Sequence, residues 1–99
     1  MNIKELSRIH RALSNEKRLR IIKSLSSGKE ETTDLLARKL KMPYQTVARH
    51  IKILESVGLL NARRDGLNQF YSLSSQNSGS LWSILETSLK IIDSKFNRE

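Results

Sequence analysis

The chain has 99 residues, enough for one domain and too few for two. Eighteen Lys and Arg against ten Asp and Glu leave a formal charge of +8, while an apolar fraction of 37% still allows a core, so the composition points to a folded binder of polyanions. With no cysteine, disulfides, thiolate metal sites and cysteine nucleophiles are excluded, and two histidines without a Gly-rich phosphate loop leave an enzyme little to work with.

Residues 3–13 read as a first helix, with Ile3, Leu6, Ile9 and Leu13 on one side and Lys4, Arg8 and Arg11 on the other. His10 lies at the edge of that apolar stripe, where a dimer-interface or core-edge role fits. Ser14 and Asn15 are good N-cap residues, Glu16 suits a first turn, and Leu19, Ile22 and Leu25 carry a second helix to about residue 26, with Gly28 as its stop. Its run Lys17, Arg18, Arg20 and Lys23, together with the basic face Lys4, Arg8 and Arg11 of the first helix, is either a solvated surface or in part laid against flanking DNA. Glu30, Glu31 and Asp34 around Thr32 and Thr33 have the chemistry of a helix N-terminus, and Leu35, Leu36 and Leu40 are the expected buried side of a short third helix.

Pro43 fits the first position of a fourth helix and pushes Met42 out of the α region, so a tight turn separates the two helices. In that fourth helix Val47, Ile51, Leu54 and Val57 form the inner stripe, Gln45, Arg49, Lys52 and Ser56 the outer face, and Gly58 the stop. His50 is expected to pack or to lie near DNA, since no second ligand stands three or four residues away. Residues 59–73 change to two extended runs flanking Asp65-Gly66, the signature of a β-hairpin, with Arg63 and Arg64 just before the tip. Those arginines could contact DNA or simply be solvated charges that blunt an exposed edge. After a Ser-rich loop, a last helix over 81–97 carries the stripe Leu81, Leu85, Leu89, Ile92 and Phe96 with Trp82 beside it, which suits a dimer seam better than a small-molecule pocket.

The expected fold is mainly α with a small β-hairpin: a single winged helix-turn-helix domain in the order α1-α2-α3-α4-β1-β2-α5, with the helix-turn-helix at 32–57 and the wing at 59–73. The segments ALSNEKRLRIIKSL, TDLLARKLKMPYQTVARHIKILESVGLL and NARRDGLNQFYSL closely resemble the ArsR/SmtB superfamily of small winged-helix repressors. That resemblance implies a homodimer built from the first and last helices, with Ile3, Leu6, His10, Leu81, Trp82, Leu85, Leu89, Ile92 and Phe96 at its interface. It also implies a fourth helix in each major groove of a pseudo-palindromic double-stranded DNA operator. Tyr44, Gln45, Thr46, Ala48 and Arg49 occupy positions with which such proteins touch base edges and nearby phosphates. Lys52, Arg63 and Arg64 read as phosphate contacts, and Asn68 and Gln69 as wing contacts.

The sequence departs from the family pattern where metal sensors carry a Cys-x-Cys pair, since the segment here is Glu31-Thr32-Thr33, and the last helix has no His. No metal and no cofactor are therefore expected, and any effector is not readable. A winged-helix protein-interaction module with weak or lost DNA binding is the alternative, although such a module has no need of Gln45, Arg49 and Lys52 on one outer face. No apolar run approaches the roughly 18 residues of a membrane span, and charges interrupt the N-terminal segment, so a cytoplasmic protein without membrane contact is expected.

Overall fold

The computed structural model describes residues 2–74. Four helices, α1 (Ile3–Leu13), α2 (Glu16–Leu25), α3 (Thr33–Leu40) and α4 (Tyr44–Ser56), lead into an antiparallel hairpin of β1 (Leu60–Asp65) and β2 (Asn68–Leu73). The expected last helix and its stripe from Leu81 to Phe96 lie outside the described residues.

Short polar side chains start the first three helices. Asn2 accepts from the Glu5 amide at 2.8 Å, Asn15 from the Arg18 amide at 3.1 Å and Thr32 from the Leu35 amide at 3.2 Å. Each such cap is worth about 1 kcal/mol. Ser14, a candidate cap for α2, closes α1 instead by donating to the Arg11 carbonyl at 2.9 Å. Pro43 is the N-cap of α4 and not its first helical residue: its ψ of 144 is extended, although its carbonyl accepts the first helical bond from Val47 at 3.1 Å. Between α3 and α4, Lys41 takes the left-handed conformation at φ 56 and ψ 47 and ends α3.

The core is one cluster. Ile9 and Ala12 of α1, Ile21, Ile22 and Leu25 of α2, Leu36 and Ala37 of α3, and Val47, Ile51 and Leu54 of α4 meet Met42, Leu59 and Leu60. Leu35, expected inside, is 41% exposed, because the inner side of this two-turn helix runs through Leu36 and Ala37 with Leu40 at its margin. The α1 stripe is divided: Ile9 packs on the core, whereas Ile3 is 86% and Leu6 40% exposed.

In the hairpin Asp65 pairs with Asn68, so the turn is Gly66-Leu67, one residue later than the Asp65-Gly66 that the dipeptide suggests. Gly66, at φ 65, takes the first central position, as a type II′ turn requires, and Leu67 needs no positive φ. The hairpin is fastened to the helices by Glu31. Its amide donates to the Tyr71 carbonyl at 3.0 Å and its carbonyl accepts from the Tyr71 amide at 2.9 Å. Its buried carboxylate accepts from Ser24 of α2 at 3.1 Å and pairs with Lys39 of α3. Among the described residues no helix is long and apolar enough to cross a membrane.

Candidate nucleic-acid interface

Helical periodicity splits α4 into two faces. Val47, Ile51 and Leu54 are buried with His50, and Gln45, Arg49 and Lys52 are turned to the opposite, outer side. Those three polar side chains surround the half-buried Ala48 and line a shallow hollow of about 280 Å³. Tyr44 stands at the leading end, 52% exposed, with Thr46 half-buried behind it. No side chain caps this end of the helix, so its first amide N–H groups are left for an anion or water.

The hairpin adds a second group of candidate residues beside Tyr44. Arg64, Leu67, Asn68 and Gln69 share a polar cleft of about 340 Å³ with Tyr44 and Thr33. Tyr71 closes the back of that cleft, and burial pushes its hydroxyl above the ordinary tyrosine pKa. Arg63 points elsewhere. Its Nε and Nη2 donate to the two carboxylate oxygens of Glu30, both at 2.9 Å, its guanidinium lies 5.0 Å over the Phe70 ring, and Asp65 is 4.0 Å away. The hydrogen bonds from Arg63 hold the Glu30 carboxyl below its usual pKa. Strand alternation explains the split, since neighbours on a strand point to opposite sides of the sheet. The structure thus places Tyr44, Gln45, Thr46, Ala48, Arg49, Lys52, Arg64, Asn68 and Gln69 along α4 and the adjoining wing cleft, and sets Arg63 on the far side of the wing.

Behind α4 sits a residue whose role the sequence does not announce. Arg18 reads as one cation in a solvated run, yet its Nε donates to the Ala12 carbonyl at 2.6 Å and its Nη2 to the Arg11 carbonyl at 3.3 Å. Its Nη1 lies 3.1 Å from Nδ1 of His50, an arrangement that needs Nδ1 unprotonated. Burial lowers the His50 pKa first, and the nearby charges of Arg18, Lys17 and Arg49 lower it further. One guanidinium therefore joins the end of α1, the start of α2 and the middle of α4. Arg20 also leaves the solvated run, donating to the Leu40 carbonyl at 2.9 Å. His10 is exposed on α1. Among the described residues no group of three or more His, Cys, Asp or Glu side chains is arranged to hold a metal ion.

A family model described as a helix-turn-helix domain matches residues 13–63, from the end of α1 into β1. The arsenical resistance operon repressor of Staphylococcus aureus is 37% identical over 73 residues, covering 74% of this chain and 69% of that protein. The HTH-type transcriptional regulator Rv0324 of Mycobacterium tuberculosis is 29% identical over 82 residues, covering 83% of this chain. This chain spans only 36% of the length of Rv0324. Among solved structures, the homodimeric winged helix-turn-helix DNA-binding domain of Mb0332 from Mycobacterium bovis superposes with a TM-score of 0.78. That match is 24% identical and covers 95% of this chain and 83% of the other, a likeness of fold.

Proposed function

The chain belongs to the ArsR/SmtB superfamily of winged helix-turn-helix transcriptional regulators, and from that premise we propose that it acts as a homodimeric repressor recognising a pseudo-palindromic operator in double-stranded DNA. The observation that carries the proposal is the division of α4, whose inner face is sealed in the core while Gln45, Arg49 and Lys52 stand together outside. A helix so divided can enter a major groove about 12 Å wide without disturbing the fold. Gln45 can bond adenine bidentately, Arg49 guanine or a phosphate, and Thr46 a base edge or a thymine methyl. This reading gives Lys52 and Arg64 phosphate contacts and Asn68 and Gln69 wing contacts, in support of which Lys52 lines the hollow on α4 and the other three line the wing cleft. Tyr44 and Ala48 complete the contact surface. Ile3 and Leu6, exposed on one side of α1, are the apolar surface this reading assigns to the dimer, together with the stripe expected over 81–97. With no cysteine in the sequence, thiolate sensing of metals or oxidants is not its trigger.

The test is selection of bound duplexes from a random pool, followed by titration of the recovered site. A palindromic site is expected, with affinity falling on the order of 10³-fold or more between 50 and 200 mM salt if six phosphates are neutralised. Recovery of no preferred sequence, with a flat salt response, overturns the proposal. On the recovered site Arg49→Ala is expected to cost about 1–3 kcal/mol and relax one base pair per half-site, whereas Lys52→Ala weakens all sequences alike.

A further inference from the structure

Eight Lys and Arg against two Glu lie in residues 1–29, more positive charge than the fourth helix and wing carry together. The structure divides these cations by use. Arg18 and Arg20 are engaged with backbone carbonyls and His50, Arg18 between α1 and α4 and Arg20 at the end of α3. Arg8 and Arg11 of α1 and Lys17 of α2 have no acidic partner among the described residues, and neither do Arg49 and Lys52 of α4. Glu5, Glu16 and Glu55 stand on the same three helices without pairing to any of them.

These cations are neighbours. Arg8 and Arg11 line a cleft of about 280 Å³ with Ile53, Ser56 and Val57 at the C-terminal end of α4. Arg18, the chain neighbour of Lys17, lies 3.1 Å from His50, the chain neighbour of Arg49, which brings the start of α2 up to the middle of α4. A cationic strip thus runs from the outer face of α4 past Lys17 to Arg11 and Arg8. Like charges held together on rigid helices without acidic partners among the described residues repel one another, and a polyanion laid across them relieves that repulsion. Helix α4 has 13 residues and is about 20 Å long, and Arg8 and Arg11 sit at its C-terminal end, so they extend its basic outer face past Lys52.

We propose that Arg8, Arg11 and Lys17 form a second phosphate-binding surface, continuous with the outer face of α4, that grips the DNA backbone beyond the base-reading contacts. The inference rests on the operator-binding reading above and extends it to a part of the molecule outside the helix-turn-helix. Continuity with α4 favours DNA over an acidic protein as the occupant. Contacts of this kind carry charge and no sequence information, so they add affinity and salt dependence and leave base preference alone.

The experiment compares the unaltered protein with Arg8→Gln/Arg11→Gln/Lys17→Gln on the selected duplex, on single-base variants of it and on an unrelated duplex, across a salt series. The slope of log affinity against log salt is expected to fall by about 0.9 for each phosphate no longer neutralised, up to about five for a dimer in which all six cations are removed. The order of preference among the single-base variants stays the same, and the melting temperature does not fall. Arg8→Gln and Lys17→Gln alone are expected to give proportionate fractions, which keeps the test open if the triple variant folds poorly. A slope equal to that of the unaltered protein overturns the inference and returns these cations to solvent or to an acidic protein. Failure of the unaltered protein to bind any duplex would instead overturn the operator-binding reading on which it rests.

Discussion

Arg63 and Arg64 are adjacent in the sequence and belong to different surfaces of the molecule. Arg64 faces the cleft that opens beside Tyr44, and Arg63 crosses Phe70 to a bidentate pair with Glu30 on the other side of the wing. The wing therefore has one exposed arginine without an acidic partner among the described residues and one already neutralised by a carboxylate of the same chain. Counting basic residues near a hairpin tip overstates its charge by treating the two as equal. The same distinction separates Arg18, spent on His50 and two carbonyls, from its exposed neighbour Lys17.

The inequality of the two arginines disappears most completely when the wing itself comes loose. Glu31→Ala removes the buried carboxylate shared by Ser24 and Lys39 and is expected to destabilise the fold by about 1–3 kcal/mol, read by denaturant unfolding. The backbone bridge to Tyr71 would then hold the hairpin alone, and wing contributions to DNA affinity from either arginine should shrink. Next in size is the effect of replacing each arginine in turn. Arg64→Ala is expected to weaken binding to all duplexes and to lower the salt slope by about one for each phosphate it neutralises, while Arg63→Ala leaves the slope nearly unchanged. Equal losses from the two substitutions would show that DNA takes Arg63 away from Glu30.

Glu30→Gln probes the same point from the acid's side. Freed from its carboxylate, Arg63 is expected to behave more like Arg64, giving tighter binding to every duplex and a steeper salt response. An unchanged titration would place Arg63 out of reach of DNA altogether. The smallest effect needs no substitution. The folded-state pKa of Glu30 is lowered, so its pairing contributes stability that is present above the unfolded value near 4.5 and lost as pH falls through the folded value. His50 titrates earlier in the same acid series. Its folded pKa is also lowered, so the folded state binds fewer protons than the unfolded one, and stability declines as pH drops through about 6.5. Unfolding midpoints measured from pH 8 to 4 should show the histidine phase first, and His50→Gln should remove that phase alone.

Most of the architecture was legible because its signals are local. Asn15 and Thr32 mark helix starts, Gly58 marks a stop, and the inner stripe of α4 follows from 3.6-residue spacing alone. Leu35 misleads because a helix of eight residues is too short for periodicity to choose between adjacent leucines. The hairpin turn is displaced by one residue because Asp-Gly signals a turn without saying which of its positions the glycine takes. Arg18, Glu31 and Arg63 were not legible for a different reason: their partners lie 32, 8 and 33 residues away in the chain. A sequence displays such a charge but not the group that meets it. The unequal roles of Arg63 and Arg64 follow from strand alternation only once it is known which side of the hairpin faces Tyr44.

The sealed inner face of α4 also bears on how a protein of this kind can diversify. Replacing Val47, Ile51 or Leu54 by a smaller residue costs on the order of 1–5 kcal/mol, a large share of the 5–15 kcal/mol typical of such a domain. Exchanging Gln45, Arg49 or Lys52 touches no core atom, so those positions can drift through many side chains while the fold persists. If the outer face of α4 reads the operator as proposed above, preference for one operator over another is a nearly independent variable of this molecule: a new target can be acquired by a few outward-facing changes and tried without first risking collapse.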